Sequence, residues 1–338
     1  MRRRVAIAGY FSLIVLLAVV LGSASACMPA RSEPTTPEAL GPRDAPPSSP
    51  ANPTVSYYIP QGENWEIPRD APTGRVASNE GSVEIEGLGS FTFDPADVET
   101  LRPDIFWQGH FSVFDVVAHL ADKGWFTMNY HYERCLDTYV IEDINGQMNW
   151  WYRAHYSGGW YEVNAHRMDM YPYKDGTQLR LSRQSEEYLG RIYNSFAEEI
   201  VRKSFNLERV VIPEVRVGST TYPNVPVSAH NVRNDVLQPG TLTALDVLLS
   251  LADQKRIRQM KLTWYGSIGD ADPVDSYWVE QIDDGDGLFD EEASSPTSGW
   301  VYETGSRSFP GFQGSHICIP ADVRPLVSPE YMMWYWPG

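Results

Sequence analysis

Two eleven-residue stretches carry the same order of apolar and polar positions. Ser112–Asp122 aligns on Thr243–Asp253 without gaps, and Asp115/Asp246, Val116/Val247, Leu120/Leu251, Ala121/Ala252 and Asp122/Asp253 are identical pairs. The apolar residues recur at helical spacing, so each stretch predicts an amphipathic helix. Each opens with a hydroxyl residue at the N-cap and an aspartate three positions later, which together feed two of the orphan amides of a helix start. Gly124 is a natural stop for the first helix, because glycine takes the left-handed conformation that ends helices.

A second match follows in the same order. Tyr139–Ile144 aligns with Tyr277–Ile282, and the β-branched and aromatic content predicts a strand in each. Each runs into a turn, Asn145-Gly146 in one copy and Asp283-Asp284-Gly285 in the other. Further strands are expected at Trp150–Ala154 and Gly299–Glu303, then at Thr177–Leu181 and Tyr331–Trp336. Short strands precede the helices, at Ser82–Ile85 and Val211–Val217. The order strand, helix, strand, strand, strand occurs twice, so the body reads as a tandem duplication, folded from about Val83 onwards. Between the copies, Leu189, Ile192, Tyr193, Phe196 and Ile200 form one helical stripe within Gln184–Phe205 and predict a connecting helix. The expected units are residues 81–183 and 208–338, joined by 184–207.

The start of the chain has a different character. Arg2, Arg3 and Arg4 precede an apolar run from Val5 to Leu21, which small residues close up to Ala26. This predicts a signal peptide over residues 1–26, with a retained membrane anchor as the alternative. Ala24-Ser25-Ala26-Cys27 fits two endings. Ala-x-Ala suits ordinary signal peptidase. A small tripeptide before cysteine resembles a bacterial lipoprotein signal, with Cys27 lipidated, although Ala24 stands where that family usually has Leu. From Met28 to Val55 there are eight prolines among 28 residues, the composition of an extended spacer. We therefore expect residues 27–80 to be a lipidated stalk and linker, and the protein to face the extracellular side or the periplasm. A freely secreted chain is the alternative.

Charge and cysteine content narrow the partners. Asp plus Glu number 44 against 27 Lys plus Arg, a formal charge of −17. Nucleic acid needs a basic face and is excluded as an expected partner; docking on anionic lipid through surface charge is equally disfavoured. Three cysteines cannot hold a small disulfide framework. With Cys27 lipidated, Cys135 and Cys318 remain, one in each copy. In an oxidising compartment they could bridge; the alternative is two buried thiols.

The run Tyr139 to Leu181 resembles the transcobalamin C-terminal-like β-grasp domain, common on exported bacterial proteins. The residues that carry the resemblance are the Phe114-Asp115-Val116 helix start, the strand ending Ile144-Asn145-Gly146, Trp150-Trp151-Tyr152, and the late Lys174-Asp175-Gly176 turn. The second copy departs from it: it lacks the late turn and carries an acidic insertion after Ile282. The resemblance implies an α+β fold of two tandem β-grasp-like domains, each a mixed sheet packed on one helix, joined by the amphipathic helix. In the animal vitamin carriers this module covers bound cobalamin, beside a large helical barrel that this chain has no segment to build. What it implies here is a small, flat, corrin-like ligand at most.

The sharpest chemical pattern is Asp283-Asp284-Gly285-Asp286-Gly287-Leu288-Phe289-Asp290-Glu291-Glu292. Calcium takes six to eight oxygen ligands, and glycines let the backbone wrap round the ion. On an EF-hand loop Asp284, Asp286 and Asp290 take three ligand positions, Gly287 the sharp turn and Leu288 the carbonyl. Both end ligands are missing, and Asp283, Glu291 or Glu292 would have to substitute. The alternative is a solvated acidic turn. Aromatics are dense, with 11 Trp and 19 Tyr. Trp151, Tyr156, Trp160 and Tyr161 are the candidates for a ring-lined ligand or glycan site; core packing is the competing role. The seven histidines show no His-Glu-x-x-His, and neither a Gly-x-Ser-x-Gly elbow nor a phosphate loop occurs. The expectation is a non-catalytic binding or scaffolding protein, with ligand capture and an enzyme of unrecognised type as alternatives.

Overall fold

A computed structural model describes residues 55–60, 71–156, 166–266, 274–283, 300–307 and 319–336. In the first half, β2 (Gly81–Ile85) and β3 (Gly89–Phe93) form a hairpin. Helix α1 (Val113–Asp122) follows, then the hairpin β4 (Met128–Glu133) and β5 (Thr138–Ile144), then β6 (Trp150–Tyr156) and β7 (Thr177–Arg183). The second half repeats this as β8 (Val211–Val217), β9 (Thr220–Pro226), α3 (Ala244–Asp253), β10 (Gln259–Tyr265), β11 (Ser276–Ile282), β12 (Val301–Gly305) and β13 (Tyr331–Tyr335). Helix α2 (Glu186–Phe205) joins the halves. The architecture is α+β, with several small mixed sheets and three α-helices among the described residues.

Strand order repeats too. One four-stranded sheet runs β3-β2-β7-β6 and the other β9-β8-β13-β12, each with a parallel pair at its centre flanked by antiparallel ones. Register confirms the correspondence in detail. Tyr152 and Ala154 pair with Leu181 and Leu179, as Tyr302 and Thr304 pair with Trp334 and Met332. Tyr152 donates its hydroxyl hydrogen bond to the His166 carbonyl at 2.8 Å, and Tyr302 does the same to the Ile319 carbonyl at 2.7 Å.

The helices form where the caps demand. Ser112 and Asp115 make a reciprocal capping box at α1, and Thr243 and Asp246 make the same box at α3. Gly124 then takes φ +81°, closing the turn after α1. Phe114, Val117 and Leu120 enter the first core, and Leu245, Leu248 and Leu251 the second, all at 0 or 1% exposure. Helix α2 sets Leu189, Ile192 and Phe196 on the first core. Ile105, Phe106, Met170, Val236, Leu237 and Val327 make a smaller cluster between the halves.

Several elements were not expected. The second strands of both opening hairpins, β3 and β9, and the first strands of both middle hairpins, β4 and β10, are additions to the predicted order. Part of residues 27–80, expected to be stalk and linker, is folded. Val55–Pro60 is strand β1, paired antiparallel with β10, because Ile59 and Tyr57 bring apolar surface to the second core. Folding thus begins well before Val83.

Candidate functional site

Each half holds one arginine in the same clasp. Arg102 donates from Nε and Nη2 to Asp104, both at 2.9 Å, and from Nη1 to Asp169 at 2.6 Å. Arg233 donates from Nε and Nη2 to Asp235 at 2.9 and 3.0 Å, and from Nη1 to Asp322 at 2.8 Å. Asp169 also accepts from Thr138 Oγ1 and from the Tyr139 amide, while Asp322 accepts from the Tyr277 amide. Tyr139 and Tyr277 are matched positions, so the clasp ties the loop before the helix to the middle hairpin in both halves. The side chains of Asp169 and Asp322 are fully buried. Burial pushes Asp169 above the usual carboxylate range, and Arg102 pulls against it. At Asp235 burial pushes the same way, but the hydrogen bonds and charge of Arg233 prevail and hold the carboxyl below that range. Fork-shaped guanidinium–carboxylate pairs of this kind are rigid and directional. The signal for them is legible in hindsight: Arg102-Pro103-Asp104 and Arg233-Asn234-Asp235 stand at the same spacing as the two helices.

The halves meet along a seam with local two-fold character. The Trp107 amide donates to the Val236 carbonyl at 3.0 Å, and the Gln238 amide donates to the Ile105 carbonyl at 2.8 Å. These flank an antiparallel bridge between Phe106 and Leu237. Beside it, Lys174 of the first half reaches into the second half's clasp, donating to the Val274 carbonyl and, at 2.9 Å, to Ser276 Oγ. Burial and the nearby Arg233 charge push the Lys174 ammonium down to about 8, despite Asp322, Asp275 and Asp235. Residues 71–80 strap both halves together. Gly74 donates its amide to Asp235 at 2.6 Å, Arg75 Nε reaches Asp275 at 2.8 Å, and the Ser78 and Asn79 amides reach Asp175 at 2.9 and 3.0 Å. A cavity of about 20 Å³ between the halves is bounded by His166, Arg167, Glu199, Thr304, Ser306 and Arg324, room for about one water. Burial, helped by Arg324 and Arg167, holds His166 well below its ordinary value, so the ring is neutral. Of these groups, Arg167 pairs with Glu199 and Lys174 bonds Ser276, both along this junction.

The residues expected at a ligand or metal site fall in several places. Trp151 is corrected: it is 7% exposed, its ring lying against Tyr193 and Phe196 of α2. The strand's second face carries the connecting helix, which is why both faces of Trp150-Trp151-Tyr152 are core. Tyr156 ends β6, its backbone paired opposite Thr177. Trp160 and Tyr161 lie outside the described residues. Asp283 follows β11 and donates its amide to the Gln259 carbonyl at 2.9 Å. Asp284, Asp286, Leu288, Asp290, Glu291 and Glu292 lie outside the described residues. Among the described residues, no group of three or more His, Cys, Asp or Glu is arranged to hold a metal ion. Cys135 is disulfide-bonded, and the two other cysteines, Cys27 and Cys318, lie outside the described residues. The exposed rings that sequence reasoning passed over include Trp107, Trp125, Tyr132 and Phe205, 40%, 61%, 40% and 65% exposed. No described helix is long and apolar enough to cross a membrane. No family model, curated protein or solved structure matches the chain.

Proposed function

We propose that this is an exported, lipid-anchored binding or scaffolding protein without catalysis of its own. Two β-grasp-like halves are joined into one rigid body and carried at the cell surface on a short Pro-rich stalk. The observation that carries this reading is the seam. The repeated clasps, the reciprocal bridge and the 71–80 strap spend the buried charges on holding two modules in fixed relation. That is what a presentation scaffold needs and what independent beads on a linker lack. The strand order, hairpin first and parallel pair at the sheet centre, supports the β-grasp assignment. The disulfide at Cys135 supports an oxidising compartment. Its partner in this reading is Cys318, since Leu136 and Ile319, the neighbours of the two cysteines, belong to one core. That leaves Cys27 for the lipid. Calcium is assigned to the acidic insertion after Asp283, where it orders the second half.

Detergent phase partitioning of cell extracts tests the anchor. The wild-type chain is expected in the detergent phase and Cys27→Ser in the aqueous phase; both in the aqueous phase would support free secretion instead. Calorimetry of the full chain tests the rest. One cooperative transition is expected, shifted upward by millimolar calcium and returned by a chelator. Two separate transitions would sink the rigid-body reading, and no calcium shift would return the insertion to a solvated turn.

A further inference from the structure

In the second half, the outer edge of the β10–β11 hairpin is taken by a third strand. β1 runs antiparallel along β10, with Val55 opposite Trp264, Tyr57 opposite Leu262 and Ile59 opposite Met260. In the first half the equivalent strand is β4, and among the described residues it pairs with β5 alone. Pairing fixes the equivalence. Met128, Tyr130 and Tyr132 face Ile144, Ile141 and Tyr139, as Met260, Leu262 and Trp264 face Ile282, Val279 and Tyr277. Both hairpins are irregular at the same point, leaving Glu142 and Glu280 as the extra residues. Exposure follows the missing strand. Met260, Leu262 and Trp264 are 0, 0 and 3% exposed, whereas Tyr132 is 40% exposed and Met128 and Tyr130 are half-buried. A strand edge with open amides and carbonyls is a template for another strand, and side-chain pockets on alternate positions give such pairing its selectivity.

The two faces of β4 define what would fit. On the inner face Tyr130 packs edge-on to Phe114, and Tyr132 edge-on to Tyr139. The outer face is acidic. Asn129 donates to Asp143 at 2.8 Å, and the His131 ring lies 2.7 Å from Glu142 and 3.7 Å from Glu133. One imidazole thus stands between two carboxylates, with Glu133 and Glu142 39% and 54% exposed. A second copy of this acidic chain would set these carboxylates against one another. We infer that β4 is a docking edge for an extended, basic strand of a partner protein, which completes the first half's hairpin as β1 completes the second's. Its inner positions take aliphatic and aromatic residues, after Tyr57 and Ile59. Its outer positions take Lys or Arg, as at the exposed Ser56 of β1. This inference stands whether or not the chain is lipidated.

The test uses a fluorescent peptide, Val-Lys-Tyr-Lys-Ile, titrated with the full chain in detergent micelles and followed by anisotropy. Saturable binding is expected. It should weaken at least tenfold when the edge-facing peptide amides are N-methylated, and likewise when both Lys are replaced by Glu. The double variant Glu133→Lys, Glu142→Lys should reverse that charge preference; Glu142 is exposed and Glu133 half-buried, and unchanged circular dichroism would verify its fold. Absence of saturable binding overturns the proposal, as does indifference to N-methylation. A peptide that displaces β1 from β10 would bind the double variant as tightly as the parent, and that also overturns it. So does a chain dimer whose cross-links join β4 to β4.

Discussion

The two halves share a skeleton and differ in what covers it. Strand order, register, capping boxes, arginine clasps and the tyrosine bonds of β6 and β12 all recur. Among the described residues, the middle hairpin is capped by β1 in the second half and open in the first. The first sheet is covered by α2, so that Trp151 is buried, while Val301 at the matching place on β12 is half-buried. The acidic insertion interrupts only the second half. What recurs is therefore what a module needs to fold. What differs are coverings and edges, and those are the places where a binding surface is added or hidden.

The largest test of that equivalence is to remove each clasp. Arg102→Ala and Arg233→Ala each leave a fully buried aspartate without its guanidinium, a change that costs about 3–5 kcal/mol when a buried pair is broken. Urea unfolding followed by tryptophan fluorescence should show losses of this size in both. The comparison sharpens in how far the damage spreads. Lys174 and the 71–80 strap lean on Asp235, Asp275 and Ser276 beside Arg233, so its loss should loosen the junction as well. Among the described residues Arg102 has no such hydrogen-bonded neighbours from the other half, and its loss should stay local. A loss below about 1 kcal/mol at either site would show that the clasps are not equivalent in energy.

Some of this was legible in the sequence, and the boundary has physical causes. The helices announced themselves because caps and 3.6-residue periodicity are local. The matched strands around Tyr139 and Tyr277 were legible because both carry dense β-branched and aromatic residues. Strands β3 and β9 were missed because Gly89-Ser90-Phe91 is short and Pro223 and Pro226 interrupt the other; both are edge strands, where proline is tolerated. β1 was missed because its pairing partner lies some two hundred residues downstream and its surroundings are Pro-rich. Trp151 misled for a related reason. Alternation says that neighbours on a strand face opposite ways, but not that a distant helix covers the second face. The Arg-x-Asp repeat was available at the spacing of the helices, and it was passed over because it lies outside any periodic segment.

A middle-sized test uses the caps. Ser112→Ala and Thr243→Ala each remove the hydroxyl that bonds the aspartate three positions on, and each should cost about 1 kcal/mol. Equal losses within a few tenths would extend the equivalence from geometry to energy. A loss at only one helix would locate the stronger tertiary support in the other half. Tyr152→Phe and Tyr302→Phe form a second matched pair, each giving up one buried hydrogen bond of about 1 kcal/mol.

The smallest effect is one that should break the symmetry. His230 belongs to the second half alone, with Nδ1 at 3.0 Å from Asp246 of the α3 capping box and Nε2 at 2.8 Å from Asp253 at the helix end. Burial lowers its pKa, but the hydrogen bonds and charges of the two aspartates outweigh it and raise it above the ordinary histidine value. The folded state therefore holds this proton more tightly than the unfolded chain. Its stabilisation is complete below the unfolded pKa, near 6.5, and is lost as pH rises through the folded value. In calorimetry between pH 6 and pH 9, His230→Gln should flatten the decline of the melting temperature on the alkaline side. It should leave the cost of Ser112→Ala unchanged at every pH, since that cap contains no histidine. If the variant keeps the full wild-type pH dependence, His230 is not the proton-linked brace of α3, and the halves are more alike in their electrostatics than the geometry suggests.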